Sequence, residues 1–205
     1  MNSKTFIKSY CHIKNNAVSL NGTLLYHGEK EEFFSDFIKS AYKNLDTNYA
    51  KFFKMDNLSK LAFLGADVLL KHENVQPEKQ ENIALVFSNN ASSLDTDRKY
   101  QESIEDKESF YPSPAVFVYT LPNICMGEIS IKHKLYSENS FFIFEDFNPE
   151  YLHAYSSGLM EENKAEKVLC GWVNIDKEDY TAFLYLVTKE EGSISHTIKE
   201  INSRF

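Results

Sequence analysis

Cys125 comes closest, by type and placement, to a side chain that could do chemistry. It follows Pro122-Asn123 at the expected start of a helix, where the helix dipole would lower a thiol pKa and favour the thiolate. Ile124 and Met126 flank it, and no base lies near it in sequence, so its neighbours favour a packed helix thiol. Asn123 stands beside it as a candidate ligand-binding amide. Glu145 and Asp146 are paired acids at the end of an apolar run. Facing a pocket, they could bind a ligand or serve as general acid or base; facing water, they mark a strand's exit and cap the next helix. Lys132, His133 and Lys134 form a basic cluster, either a solvated face or a docking point for an acidic partner.

Other chemistries lack their residues. The six histidines form no HExxH, HxH or CxxC-linked arrangement, so no metal site is expected. No GxGxxG, GxxxxGK[ST] or GxSxG pattern occurs, and no cofactor is implied. The three cysteines are too scattered for a disulfide framework. A net charge of −8 disfavours nucleic acid and anionic membranes as partners. No run approaches the ~20 apolar residues of a membrane span, and the first residues resemble no leader. The expectation is a cytoplasmic protein folding as one domain over residues 1–205.

The elements that must position these residues read as α/β, a mixed sheet covered by helices. Strands are expected over 5–13, 83–87, 168–175 and 182–187, the last two joined by an acidic turn at 176–179. Asn21-Gly22 between short apolar runs marks a hairpin. Helical spacing covers 29–45, and Asp56 caps a broad apolar helix up to about Lys71. Charged residues 95–108 suit an exposed helix, 148–159 a helix carrying Tyr151, Leu152, Tyr155 and Leu159, and 193–204 a short last helix. Between them lies Tyr111–Phe147, with three of the five prolines. It reads as a strand or loop, a proline-started helix, then a buried strand.

This central stretch resembles the N-terminal half of the β-ketoacyl synthase (thiolase-like) family. Ser113-Pro114, Leu121-Pro122-Asn123, Gly127, Ile129-Ser130-Ile131 and Asn139 carry the likeness. They match a proline-bounded loop, an Asn-x-x-x-Gly-x-x-Ser helix and the asparagine of a following turn. Residues 59–70, 83–96 and 168–174 match more loosely. The resemblance implies a thiolase-like half fold. It also places the family's nucleophilic cysteine on or beside Asp146, so Glu145-Asp146 stand where a small residue and Cys would be. Ser137-Glu138 replace the Gly-Pro of the turn. The half carrying the family's two catalytic histidines is missing, and neither His153 nor His196 lies in a matching motif.

A carboxylate cannot carry an acyl chain as a thiolate does. The resemblance therefore implies a non-condensing accessory subunit in fatty-acid or aryl-polyene/flexirubin-type pigment biosynthesis. Its partners would be a ketosynthase, in a homo- or heterodimer, and an acyl carrier protein or acyl chain. Two alternatives remain open at this point: an acyl-thioester enzyme using Asp146 or Glu145, or a small-ligand binding module on the same fold.

Overall fold

The computed structural model describes residues 4–106, 108 and 111–205. The chain opens with β1 (Phe6–Lys14), β2 (Ala17–Leu20) and β3 (Thr23–His27), followed by α1 (Phe34–Asn44) and α2 (Asn57–His72). Then come β4 (Ile83–Asn89), α3 (Leu94–Glu102), α4 (Pro114–Val118) and α5 (Ile124–His133). The remainder is β5 (Asn139–Ile143), α6 (Pro149–Glu161), β6 (Lys167–Asp176), β7 (Asp179–Thr188), β8 (Ile194–Ser195) and α7 (Ile198–Asn202). The strands make one mixed sheet in the order β3-β2-β1-β7-β6-β4-β5, with β8 also on β1. β4 runs parallel to both β5 and β6; the pairs β6–β7 and β7–β1 are antiparallel.

Local chemistry explains the elements. Asn21 and Gly22 both take positive φ, 51° and 80°, as a tight two-residue hairpin turn requires. The Asp56 carboxylate accepts from the Ser59 amide at 2.9 Å and so closes the start of α2. All seven residues of β4 are buried, because helices cover both faces of the sheet there. In β7 the alternation is direct: Leu184 and Leu186 pack on one face, Phe183, Tyr185 and Val187 on the other. The first face meets Phe37, Leu61, Leu64 and Ile129 of α1, α2 and α5. The second meets Leu152, Met160 and Ile201 of α6 and α7. Twelve of the sixteen residues of α2 are buried, and one of them is a carboxylate, Asp67, which must find partners.

Three expectations change. The 111–147 stretch holds two helices, α4 and α5, and its strand β5 is half-exposed, since it lies at the sheet edge with one paired side. The last helix shrinks to α7, because Ile194 and Ser195 pair with Ile7 and Phe6 as a short strand. The exposed helix expected over 95–108 ends at Glu102, and residue 107 lies outside the described residues, as do residues 1–3.

Candidate functional site

Because β4, β5 and β6 are parallel, their C-terminal ends meet at one edge, where α/β proteins gather their sites. Asn89, ending β4, folds its amide onto Ser92 in both directions, at 2.9 and 3.0 Å. Asn174 of β6 accepts from the amides of Asn90 and Ala91 at 3.3 and 3.1 Å. Asn90 donates to the Glu145 carbonyl at 3.4 Å, and the Phe144 amide to the Asn89 carbonyl at 2.9 Å. Arg98 pairs with Asp176 beside them, holding that carboxyl below its usual range. Asn148 caps α6 through the Tyr151 amide at 2.9 Å, and the Phe147 ring turns inward against Trp172, Phe183 and Phe205. The turn from β5 to α6 is therefore pinned on both sides.

Glu145 and Asp146 occupy this turn with exposed side chains. Among the described residues, neither carboxylate hydrogen-bonds to or pairs with a histidine, lysine or arginine. Their position just before α6 suits the positive end of its dipole, and the cap is Asn148 rather than either acid. Cys125 lies elsewhere: it packs in the core on the α2–α5 face of the sheet, whereas the turn leads into α6 on the opposite face. Burial, with Asp56 nearby, pushes its thiol pKa well up, so proximity to a helix start gives it no thiolate character. Asn123, at the exposed start of α5, makes no side-chain cap. The candidate nucleophile and the candidate acids thus do not converge.

Cys11 and Cys170 are likewise buried, with pKa values pushed up to about 12 by desolvation. All three thiols are expected to stay unreacted with Ellman's reagent at pH 8 in the native protein and to react together in guanidinium. Fast labelling of Cys125 in the native state would contradict its burial.

The basic cluster also divides. His133 is buried, its Nε2 3.3 Å from Asp67, so it cannot dock a surface partner. Lys132 is half-buried, donates to the Asn48 carbonyl at 2.9 Å and lies over the Tyr49 ring. Only Lys134 is fully exposed. Behind them is a network that the sequence reading missed. Asp67 accepts from Thr47 at 2.9 Å and from Lys71 at 2.7 Å, and Lys71 also reaches the Asp46 carbonyl at 3.0 Å. Burial alone would raise the Asp67 pKa, but the nearby His133 ring, the Lys71 ammonium and the Thr47 hydroxyl outweigh it and hold the carboxyl below its usual value. Beside it, buried Glu128 accepts from Tyr119 and Lys51, each at 2.8 Å. The cluster fastens the 46–51 loop to α2 and α5. An aspartate inside an otherwise apolar helix was its one signal in the sequence.

Among the described residues no group of three or more His, Cys, Asp or Glu could hold a metal ion, and no helix is long and apolar enough to cross a membrane. No protein-family model matches the sequence, and no curated protein matches it. Solved structures do resemble the fold. The ishigamide ketosynthase/chain length factor aligns with a TM-score of 0.66 at 16% identity, over 93% of this chain and 63% of that one. The ketosynthase ApeO in complex with its chain length factor ApeC, from Xenorhabdus doucetiae, gives 0.59 at 13% identity, over 92% and 80%. A type II PKS acyl-carrier protein in complex with its ketosynthase (AntDE:AntF) gives 0.64 at 13% identity, over 93% and 64%. The chain thus spans less than two thirds of the first of these. Its fold is the thiolase-like α/β fold of the ketosynthase chains.

Proposed function

We propose that this chain is a non-condensing, ketosynthase-like accessory subunit that pairs with a ketosynthase. The observation carrying the proposal is a combination. A fold shared with ketosynthase and chain length factor structures over nine tenths of the chain has, at the strand-end turn, two exposed acids with no facing base among the described residues, while every cysteine is buried. Acyl transfer by a thiolate has no residue to use there. The pathway proposed is fatty-acid or aryl-polyene/flexirubin-type pigment assembly, with an acyl carrier protein as a further partner. With His133 turned inward, Lys134 is the exposed basic residue left to meet it, on a chain whose net charge is −8.

The face proposed for the ketosynthase is the β5 edge. The Phe144 amide turns in to Asn89 on β4, so by strand alternation the backbone groups of Asn139, Phe141 and Ile143 turn outward. Among the described residues no strand covers them. Half-exposed Ile143 and the packed rings of Phe142, Phe144, Tyr151 and Tyr155 lie along this edge. An open, apolar edge invites strand pairing, and one lysine on it discourages pairing. The test is co-expression with a full-length ketosynthase of the same organism, followed by size exclusion with light scattering. A stoichiometric complex is expected, weakened at least about tenfold (~1.4 kcal/mol) by Ile143→Lys and untouched by Leu24→Lys on the opposite edge strand β3. Absence of any complex would sink the accessory-subunit reading. Equal binding by the Ile143→Lys variant would sink only the β5 edge as its face.

A further inference from the structure

The two histidines left without a role in the sequence meet in space. His153 projects from α6 and His196 from the segment between β8 and α7, with ring centroids 4.6 Å apart. His153 Nε2 donates to the His196 carbonyl at 3.0 Å. His196 Nδ1 lies 3.2 Å from the Thr5 hydroxyl, and its amide donates to the Thr5 carbonyl at 2.9 Å. His196 is only 4% exposed, and among the described residues its Nε2 has no hydrogen-bond partner. This contact ties down the whole β8–α7 strap. Beyond it, Ile201 is fully buried in the second core, and Phe205 stacks on Phe147.

Among the described residues no carboxylate hydrogen-bonds to or pairs with His196. The groove of about 880 Å³ beside the pair is lined by Lys4 and Thr5 leading into β1, His153 and Glu161 of α6, and Lys189 and Glu191 after β7. Lys189 is engaged with the Met160 carbonyl at 2.8 Å. Glu161 and Glu191 make no hydrogen bond to His196, and Tyr185 of β7 faces it from the sheet with ring centroids 6.0 Å apart. A proton on Nε2 would therefore be a buried charge with no acceptor, next to a second imidazole.

We propose that His153 and His196 form an acid-released latch holding the β8–α7 strap over the second face of the sheet. Desolvation, reinforced by His153, lowers the His196 pKa from 6.5 to about 3. Above pH 6.5 neither the closed nor the released strap binds the proton, and the latch is at full strength. Below 6.5 the released strap takes a proton that the closed one refuses, so opening becomes about tenfold more favourable per pH unit. Release uncovers Phe183 and Tyr185, against which Phe205 and His196 pack, an apolar surface covered at neutral pH. The latch lies at the β1 side of the sheet, across from the β5 edge, and stands whether or not a ketosynthase binds there.

Amide hydrogen exchange of the wild-type chain between pH 7 and 4.5, corrected for intrinsic rates, tests it. Protection of the His196 and Ile201 amides is expected to fall about tenfold per unit below pH 6.5, while β6 and β7 amides keep theirs. In His196→Gln the strap's pH slope is expected to vanish. Strap protection independent of pH, a parallel loss across β6 and β7, or an unchanged slope in His196→Gln would each overturn the latch. Should that variant fail to fold, the wild-type slope alone decides.

Discussion

Gly171→Ala is expected to prevent stable folding. A Cβ at this position would lie 2.0 Å from the Phe183 carbonyl oxygen and 2.9 Å from the Leu184 Cα, both backbone atoms of the paired strand β7. Neither can swing aside as a flexible side chain could, so β6 and β7 would have to separate at the centre of the sheet. Overpacking of this kind costs about 3 kcal/mol or more, a large part of the roughly 5–15 kcal/mol that holds a domain together. The variant is expected in the insoluble fraction, or with a melting temperature lower by ~10 °C. Gly158→Ala is the control, since a Cβ there meets nothing within 4 Å and alanine is the better helix former. A Gly171→Ala protein melting like wild type would show that the strands are not in this register.

Asp67→Ala ranks next. It removes the acceptor shared by Thr47, Lys71 and His133 and leaves a buried polar cluster unpaired, at a cost of about 3–5 kcal/mol. Thermal denaturation should show the drop, and exchange should rise first in the 46–51 loop, which this cluster helps fasten to α2 and α5. Breaking the exposed Lys39–Asp36 pair with Lys39→Ala is expected to change little, within about 0.5 kcal/mol. Acid has the same target in the wild type. Because the folded Asp67 pKa lies below the ordinary aspartate value of 3.8, its contribution is complete above that pH and is lost as pH falls through the lower folded value. This window sits below the one in which His196 acts, so acid should loosen the strap before it weakens the core.

Much of the fold was legible because its signals are local. Asn21-Gly22 announces a turn through the φ values it tolerates, Asp56 a helix start through its capping oxygen, and Ile83–Phe87 a strand covered on both faces through unbroken apolarity. The candidate site was less legible. Glu145 and Asp146 were located at the end of a strand, where they are, but no sequence pattern says whether a carboxylate there looks into a pocket or into water. Lys132, His133 and Lys134 look like one patch only along the chain. Successive helical residues point roughly 100° apart, so packing α5 on α2 turned His133 inward and left its neighbours outside.

By itself, then, the amino-acid order determined the run of strands and helices, an acidic surface, and the absence of any local nucleophile–base pattern. Periodicity, capping and turn chemistry act within a few residues and need no knowledge of the rest. Only the tertiary structure decided that Cys125 and Asp146 fall on different sides of a sheet, that β5 is an edge strand, and that Asp67 gathers Thr47, Lys71 and His133. It also brought His153 against His196, 43 residues further on. These outcomes depend on which apolar faces meet across long stretches of chain, and burial then sets what each polar group at the contact can do.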